Sequence, residues 1–456
     1  MRSLLRSRRG SVAFATVIAL VPLIGVVALG GEAGSWYVTR QHAQNAADAA
    51  AYSGAVQHLC LTDPACALAI PQTVDYRAKQ SAAQNAFCNT GATSYPGSKC
   101  VASPAGVSHS VQVASLGSWK GAAGTYVQAT VSQQQPAYLA RVLGLSTVTI
   151  PATAVAKVKS AVFPPCVLSL QGSISFQGSP NINAPNCGMA SNSTAKNAIN
   201  FTGGGMSMNL GSLTSVGGCT GQAQFCNTAQ TYMPAPITNP FTALDGVLTS
   251  LCGANPSLPA KCGLPSCDTK SGLVAYNAAA PATRCTNDGY KTKGNTPPQT
   301  LPAGGVYFIS GTLTMTSQSQ IDGPGVTFIL LPGAKFDMKG GAFLNIAGPA
   351  SAPSASSLPA ALQPYASLFQ YMSIYYASAE PAQFGGNSNI NLTGNIYAPK
   401  AAVIFQGNPT IAVGGAGGCG QLIAKSVEFN GNATFDTTGC PSQTKLPKSQ
   451  FVQLVQ

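Results

Sequence analysis

Charge is scarce in this chain. Asp, Glu, Lys and Arg make up 8% of its 456 residues, too few Glu and Lys for a mostly helical soluble protein. Histidine occurs only at His42, His58 and His109, so a Ser–His–Asp site would have to draw on one of these three. None of the 14 cysteines forms a C-x-x-C pair or has a histidine at zinc-finger spacing, which removes the structural-zinc classes. Long apolar runs are missing with one exception at the N-terminus, so the chain is not a multi-span membrane protein. The net charge of +12 is spread without a basic stripe interleaved with aromatics. Specific nucleic-acid binding is therefore not expected.

Catalytic constellations are also missing. Beyond residue 160 the carboxylates are Asp245, Asp268, Asp288, Asp322, Asp337, Glu380, Glu428 and Asp436. No two stand at i, i+2 on one strand, where they would share a face. No G-x-S-x-G elbow occurs, and Gly203–Gly205 lacks the Lys-Ser/Thr of a phosphate loop. No catalytic residue, cofactor or metal ligand is assigned, and no enzyme activity is expected.

What is present begins with RRGSVAFATVIALVPLIGVVALGGEAGSWY. Residues 11–31 carry no charge and span about 31 Å as a helix, enough to cross a hydrocarbon core. Secretory h-regions are shorter, so a retained anchor is expected. Arg8 and Arg9 precede the run and Trp36 and Tyr37 follow it. That order places residues 1–10 in the cytoplasm and the aromatic pair at the opposite interface. Residues 32–58 continue as an Ala-rich helix. Ala43, Ala46, Ala47, Ala50 and Ala51 form a small-residue stripe for close packing, on a partner helix or on the chain's own body.

Ordered by position, RRG, the apolar helix, the aromatic pair and QNAADAAA resemble the N-terminal segment of the TadE/TadG-like family of tight-adherence (Flp) pilus assembly proteins. The stretch TYVQATVSQQQPAYLARVLGLSTVTIPATAVAKV (125–158) is similar to the ending that follows the anchor in TadG-like proteins. It reads as a strand, a short helix opened at Pro136 and ended by Gly144, and a second strand. The resemblance implies an inner-membrane component whose partners are other pilus assembly proteins. Prepilins of that machinery are cut after a glycine with a glutamate five residues on. Here the glycine is Gly10 and the fifth residue is Ala15, so the resemblance implies an uncleaved minor component rather than a filament subunit.

The remainder is short apolar runs cut by Gly, Pro and Asn, a β-rich pattern. CVLSLQGSISFQGSPNINAPNC (166–187) aligns without a gap with CGQLIAKSVEFNGNATFDTTGC (419–440). Ser173 falls on Ser426, Phe176 on Phe429 and Gly178 on Gly431. AVIFQGNPTI (402–411) repeats the pattern and INFTGGGMSM (199–208) echoes it. Phe176 to Phe201 is 25 residues and Phe405 to Phe429 is 24, a solenoid period. The expected fold is an N-terminal transmembrane helix and α+β region followed by a mainly-β domain. That domain is expected to be an irregular parallel β-helix with a disulfide-stapled insertion. A β-sandwich is the alternative.

The boundaries that follow are an α+β region at 59–160, coils at 161–218, a Cys-rich insertion at 219–299 and coils at 300–350. A Pro/Ser-rich and aromatic insertion at 351–386, further coils at 387–440 and a loose tail at 441–456 complete the chain. An even cysteine count points to disulfides in an oxidising compartment. The expected pairs are Cys166/Cys187, Cys419/Cys440, Cys60/Cys66, Cys88/Cys100 and Cys219/Cys226. Cys252, Cys262, Cys267 and Cys285 leave three connectivities open. A cell-wall or surface glycan is a second partner class, belonging to the alternative reading of a surface adhesin or carbohydrate-binding β-helix.

Overall fold

The computed structural model describes residues 8–62, 72–89, 94–101, 104–160, 163–252, 268–269, 272–273, 275–276, 297–413, 420–437 and 450–455. The chain divides into two compact units. Unit 1 holds residues 1–159 and 450–456, and unit 2 holds residues 160–449.

Unit 1 is built from helix α1 (Arg8–Thr62), helix α2 (Val74–Gln84) and three antiparallel strands, β1 (Ser108–Trp119), β2 (Ala122–Pro136) and β3 (Thr147–Ser160). Thr73 caps α2 by accepting the N–H of Tyr76 at 3.1 Å, which meets one of the orphan donors of a helix start. A disulfide joins Cys88 to Cys100, and Cys60 is also disulfide-bonded. The C-terminal tail is not a loose end. Gln450–Leu454 forms a fourth strand beside β3, with Val452 buried and the Val455 N–H donating to the Val155 carbonyl at 2.7 Å. An apolar side chain at the core face and a free edge on β3 outweigh the local polarity of the segment. Pro136 does not open a helix either. It ends β2, and the helical turn is a 3-10 element at Ala140–Leu143 closed by Gly144 at φ +89°.

Unit 2 is a parallel β-solenoid of about nine turns. Each turn lays one short strand on each of three faces. On face B the inward row runs Met315, Met338, Phe384, Phe405, Phe429, Phe176, Phe201, each residue in register with the next. On face C the inward row runs Ile321, Leu344, Ile390, Ile411, Phe435, Ile182, Met208. These rows and that of face A, which runs Tyr307, Phe328, Ile374, Ile396, Leu422, Val167, Met189, Leu213, meet in one continuous core. The rings of Phe384, Phe405, Phe429, Phe176 and Phe201 stack with centroids 4.9 to 5.4 Å apart, the separation favoured by offset aromatic pairs.

The order of the stack is not the order of the chain. Gly420–Gly431 pairs with Pro165–Ser169 and Ile174–Gly178, and Thr434–Thr437 pairs with Asn181–Ser191. The last coil of unit 2 therefore sits directly on its first coil. The two aligned segments of the sequence repeat are neighbours, 253 residues apart in the chain, with Phe176 opposite Phe429 and Gly178 opposite Gly431. A buried disulfide joins Cys166 to Cys187, and another joins Cys219 to Cys226. Cys66, Cys419 and Cys440 lie outside the described residues.

Two excursions cover face A. Segments 237–248 and 355–369 place Phe241, Leu244, Leu362 and Phe369 over Tyr375, Tyr397 and Ile423. The aromatic stretch expected to interrupt the solenoid does so only in its first part. Met372–Tyr376 and Ala382–Gly386 are themselves coil strands. Tyr375 and Tyr376 are buried, because their strand is covered on both sides.

Candidate functional site

Helix α1 is apolar along its first half and small-residued along its second. Leu23, Val26 and Val27 are 61%, 70% and 69% exposed, and the segment has no partner surface among the described residues. Farther on, Ala43, Ala46, Ala47, Ala50, Ala51 and Ala55 are fully buried against Ala78 and Ala82 of α2 and against Val127, Ala129 and Val131 of β2. Small side chains let the helix backbone approach the sheet closely. A Cβ added at Gly54 would stand 2.9 Å from Val127. The alanine stripe thus packs on the chain's own body. It is not a free docking face.

Between the two halves stands Glu32, the first charged residue after Arg9. Its carboxylate accepts the backbone N–H groups of Tyr138 (2.7 Å), Leu139 (2.9 Å) and Ala140 (2.8 Å). Burial opposes ionisation of this carboxyl, but the three N–H donors outweigh it and hold Glu32 below the usual carboxylate range. The side chain ties α1 to the turn between β2 and β3, 106 to 108 residues downstream.

On unit 2 the outward row of face C runs Asp322, Asn345, Asn391, Ala412, Asp436, Asn183, Asn209. Its amides bond up and down the stack. Asn345 Nδ2 donates to Asp322 Oδ1 at 3.1 Å, Asn183 Nδ2 to Asp436 Oδ1 at 3.2 Å and Asn209 Nδ2 to Asn183 Oδ1 at 2.9 Å. A shallow cavity of about 390 Å³ lies on this face between Asp322, Asn345, Asn391 and the 41% exposed Phe343. Asp322 and Asp436 share the row but are four strand spacings apart, about 19 Å at ~4.8 Å each. Asp337 and Glu428 share a row of face B three spacings apart, about 14 Å. Paired-carboxylate hydrolysis needs separations below about 9.5 Å, so neither row supplies such a pair. Asp337 is paired with Lys339 at 2.7 Å and Glu380 with Lys335 at 3.1 Å. No cluster of His, Cys, Asp and Glu suited to a metal occurs among the described residues.

A second perturbed carboxyl lies over face A. Burial pushes Asp245 above the usual carboxylate range, against the pull of the Tyr397 hydroxyl and the Lys400 charge. Tyr397 donates to Asp245 Oδ1, Asn239 Nδ2 donates to the Tyr397 oxygen at 2.8 Å, and Tyr375 donates to the Leu244 carbonyl at 2.7 Å. These bonds pin the excursion over face A to the solenoid. A carboxyl whose oxygen accepts from a fixed tyrosine hydroxyl is a structural clamp.

One helix that is exposed and apolar for one half and buried and alanine-lined for the other is a long and specific pattern. Residues 10–57 match the family of putative Flp pilus-assembly TadE/G-like proteins. No curated protein and no solved structure matches the chain. The TadE/G-like match ends within α1, so it covers the anchor segment and the alanine stripe and none of the solenoid. Glu32 lies inside the TadE/G-like segment, although its partners do not.

Of the anchor residues expected from sequence, Arg8 and Arg9 open α1. Trp36 is half-buried and Tyr37, less than two helical turns beyond Gly31, is 65% exposed. The role of Glu32 was not legible in the sequence, where it is an isolated acid far from its partners. The Asp245–Tyr397–Asn239 clamp was missed for the same reason, since its members are 152 and 158 residues apart.

Proposed function

We propose that this protein is a membrane-anchored component of tight-adherence (Flp) pilus assembly, acting as a non-catalytic scaffold in the cell envelope. The observation that carries the reading is the TadE/G-like match at residues 10–57, all of it inside α1. The helix's apolar half is long enough to cross a bilayer and packs on none of the described residues, while its alanine half lines the core of unit 1. Arg8 and Arg9 favour a cytoplasmic N-terminus by the positive-inside rule. The body then lies outside the inner membrane, where disulfides such as Cys166–Cys187 are stable. Its partners are other pilus assembly proteins, and the solenoid serves as a rigid, disulfide-stapled body carried by the anchor.

The test is membrane fractionation with protease protection of a chain tagged at both ends. The expected outcome is a full-length protein in the inner membrane with only the C-terminal tag cleaved from the outside. A soluble mature protein lacking its first thirty or so residues refutes the anchor. A glycan-binding surface is a second reading, favoured by the exposed Phe343 beside the amide row of face C. Sedimentation with purified cell-wall glycan tests it, and loss of binding in Phe343→Ala is the supporting result.

A further inference from the structure

We propose that the turn between β2 and β3, residues 136–146, is a second membrane contact: a foot that rests in the outer interface of the bilayer crossed by α1. The proposal rests on the anchor reading and goes beyond it, because it assigns a membrane surface to a segment outside the TadE/G-like match.

Three observations place the turn at the membrane. The charge-free run of α1 ends at Gly31, so residue 32 marks the level where the helix leaves hydrocarbon. Glu32 holds the backbone of Tyr138, Leu139 and Ala140 within 2.7 to 2.9 Å of its carboxylate. The turn is therefore at that same level. It also presents the side chains that such a level selects. Tyr138 is 76% exposed, Leu139 40% and Leu145 49%, and Arg141 is exposed beside them. No acidic residue occurs from 133 to 146.

The chemistry fits an interface rather than water or hydrocarbon. A tyrosine ring sits at headgroup depth with its hydroxyl outward, as interfacial aromatics do. Leucines beside it bury apolar area among the upper acyl chains, and a guanidinium pairs with lipid phosphate. Tyr37, 65% exposed on α1 five residues beyond Glu32, adds a second aromatic near the same depth. The turn is shaped for the task. The Ala137 N–H donates to the Ser146 carbonyl at 3.1 Å and closes its neck, and Gly144 at φ +89° reverses the chain before Leu145. Glu32 itself would be repelled by anionic headgroups, but its charge is spent on three backbone donors that would otherwise face apolar surroundings. With the turn in the interface, unit 1 is held at two points and cannot swivel freely about α1.

The experiment uses the full chain reconstituted in vesicles of phosphatidylethanolamine and phosphatidylglycerol. Tyr138→Trp is made in a Trp36→Phe, Trp119→Phe background, so that residue 138 carries the only tryptophan. The position is exposed, so the substitution leaves the core intact. The expected result is a blue-shifted emission, quenched by lipids bearing a nitroxide near the headgroup and protected from aqueous acrylamide. Emission that stays at the water-exposed wavelength, quenched by acrylamide and untouched by lipid nitroxides, overturns the proposal. Vesicle flotation of the same sample separates the two readings. Protein that fails to float refutes the anchor, whereas protein that floats with residue 138 in water refutes the foot alone. Adding Glu32→Ala is expected to lower the lipid quenching while flotation is unchanged. Unchanged quenching would overturn the positioning role of Glu32.

Discussion

Substituting Gly431 by alanine tests how closely the coils approach at the corner between faces B and C. Gly340, Gly386, Gly407, Gly431 and Gly178 stack there, all with positive φ. At Gly431, φ is +86° and an added Cβ would lie 2.6 Å from the Gly407 carbonyl oxygen. Gly304 of the same unit has a similar φ of +78° but open space around a Cβ. The left-handed conformation costs an alanine about 1–2 kcal/mol at either site. Reduced freedom of the unfolded chain returns about 0.4–1 kcal/mol at either site. Only Gly431 adds a clash with backbone that cannot rotate away, and such overpacking costs about 1–3 kcal/mol. Gly304→Ala is therefore expected to destabilise by about 0–1.6 kcal/mol, and Gly431→Ala by about 1–3 kcal/mol more than that. Both tryptophans are in unit 1, so guanidinium unfolding should be followed by far-UV circular dichroism together with the near-UV signal of the stacked phenylalanines. Equal losses for the two variants would refute the argument, since conformational strain alone would then account for both.

Replacing Cys166 and Cys187 together by alanine opens a loop with a sequence separation of 21 and is expected to cost about 3 kcal/mol in the chain-entropy account. An unchanged denaturation midpoint, or a peptide map pairing Cys166 elsewhere, would contradict it. Asp245→Asn is expected to stabilise unit 2 increasingly as pH rises from about 4. The folded carboxyl titrates above its unfolded value, so the wild-type contribution is complete below the unfolded pKa and is lost as pH rises through the folded one. Denaturation midpoints of both proteins between pH 4 and 7 check the sign, and a gap that closes with rising pH would defeat it. Truncation after residue 449 bares the edge of β3 that Gln450–Leu454 covers. Faster amide exchange across 150–158, most of all on the bared edge, is the expected outcome, and unchanged protection would show the strand to be dispensable.

The register of the solenoid was legible because its inward rows repeat side chains of one size. Phe176 aligns with Phe429 in sequence and stacks on it at 5.3 Å. A repeat reveals which coils are alike, however, and not which coils touch. Nothing in CVLSLQGSISFQG tells that its neighbour is 253 residues away. Phe336 and Phe384 were missed as members of the same core because segment 349–371 breaks the 24-residue spacing between them. The alanine stripe was legible as a packing face, but small residues suit any close partner. What it meets, Ala78 and Ala82 of α2 and the inward Val127 and Val131 of β2, is decided by the tertiary fold. Glu32 and Asp245 act through partners that local sequence does not contain, so no periodicity or spacing could expose them.

The non-sequential stack and the extra strand of unit 1 have one explanation. Chain enters unit 2 after β3 ends at Ser160 and returns to pair beside β3 at Gln450. An insertion of this kind requires its two ends to be close together. In a solenoid wound in simple sequence order the first and last coils would be at opposite ends. With eight strand spacings between nine turns, that separation is roughly 38 Å. Placing coil 420–437 directly on coil 165–183 brings entry and exit into adjacent turns. The cost is a long return path, and the chain supplies it in residues 221–298, which lead from the coil at Cys219–Thr220 to the one at Gln299–Thr300 at the other end of the stack. Part of that path lies over face A, where Phe241 and Leu244 are buried and the Asp245–Tyr397 clamp holds it. The Cys-rich segment is thus the connection that allows a solenoid to be carried within a small α/β unit.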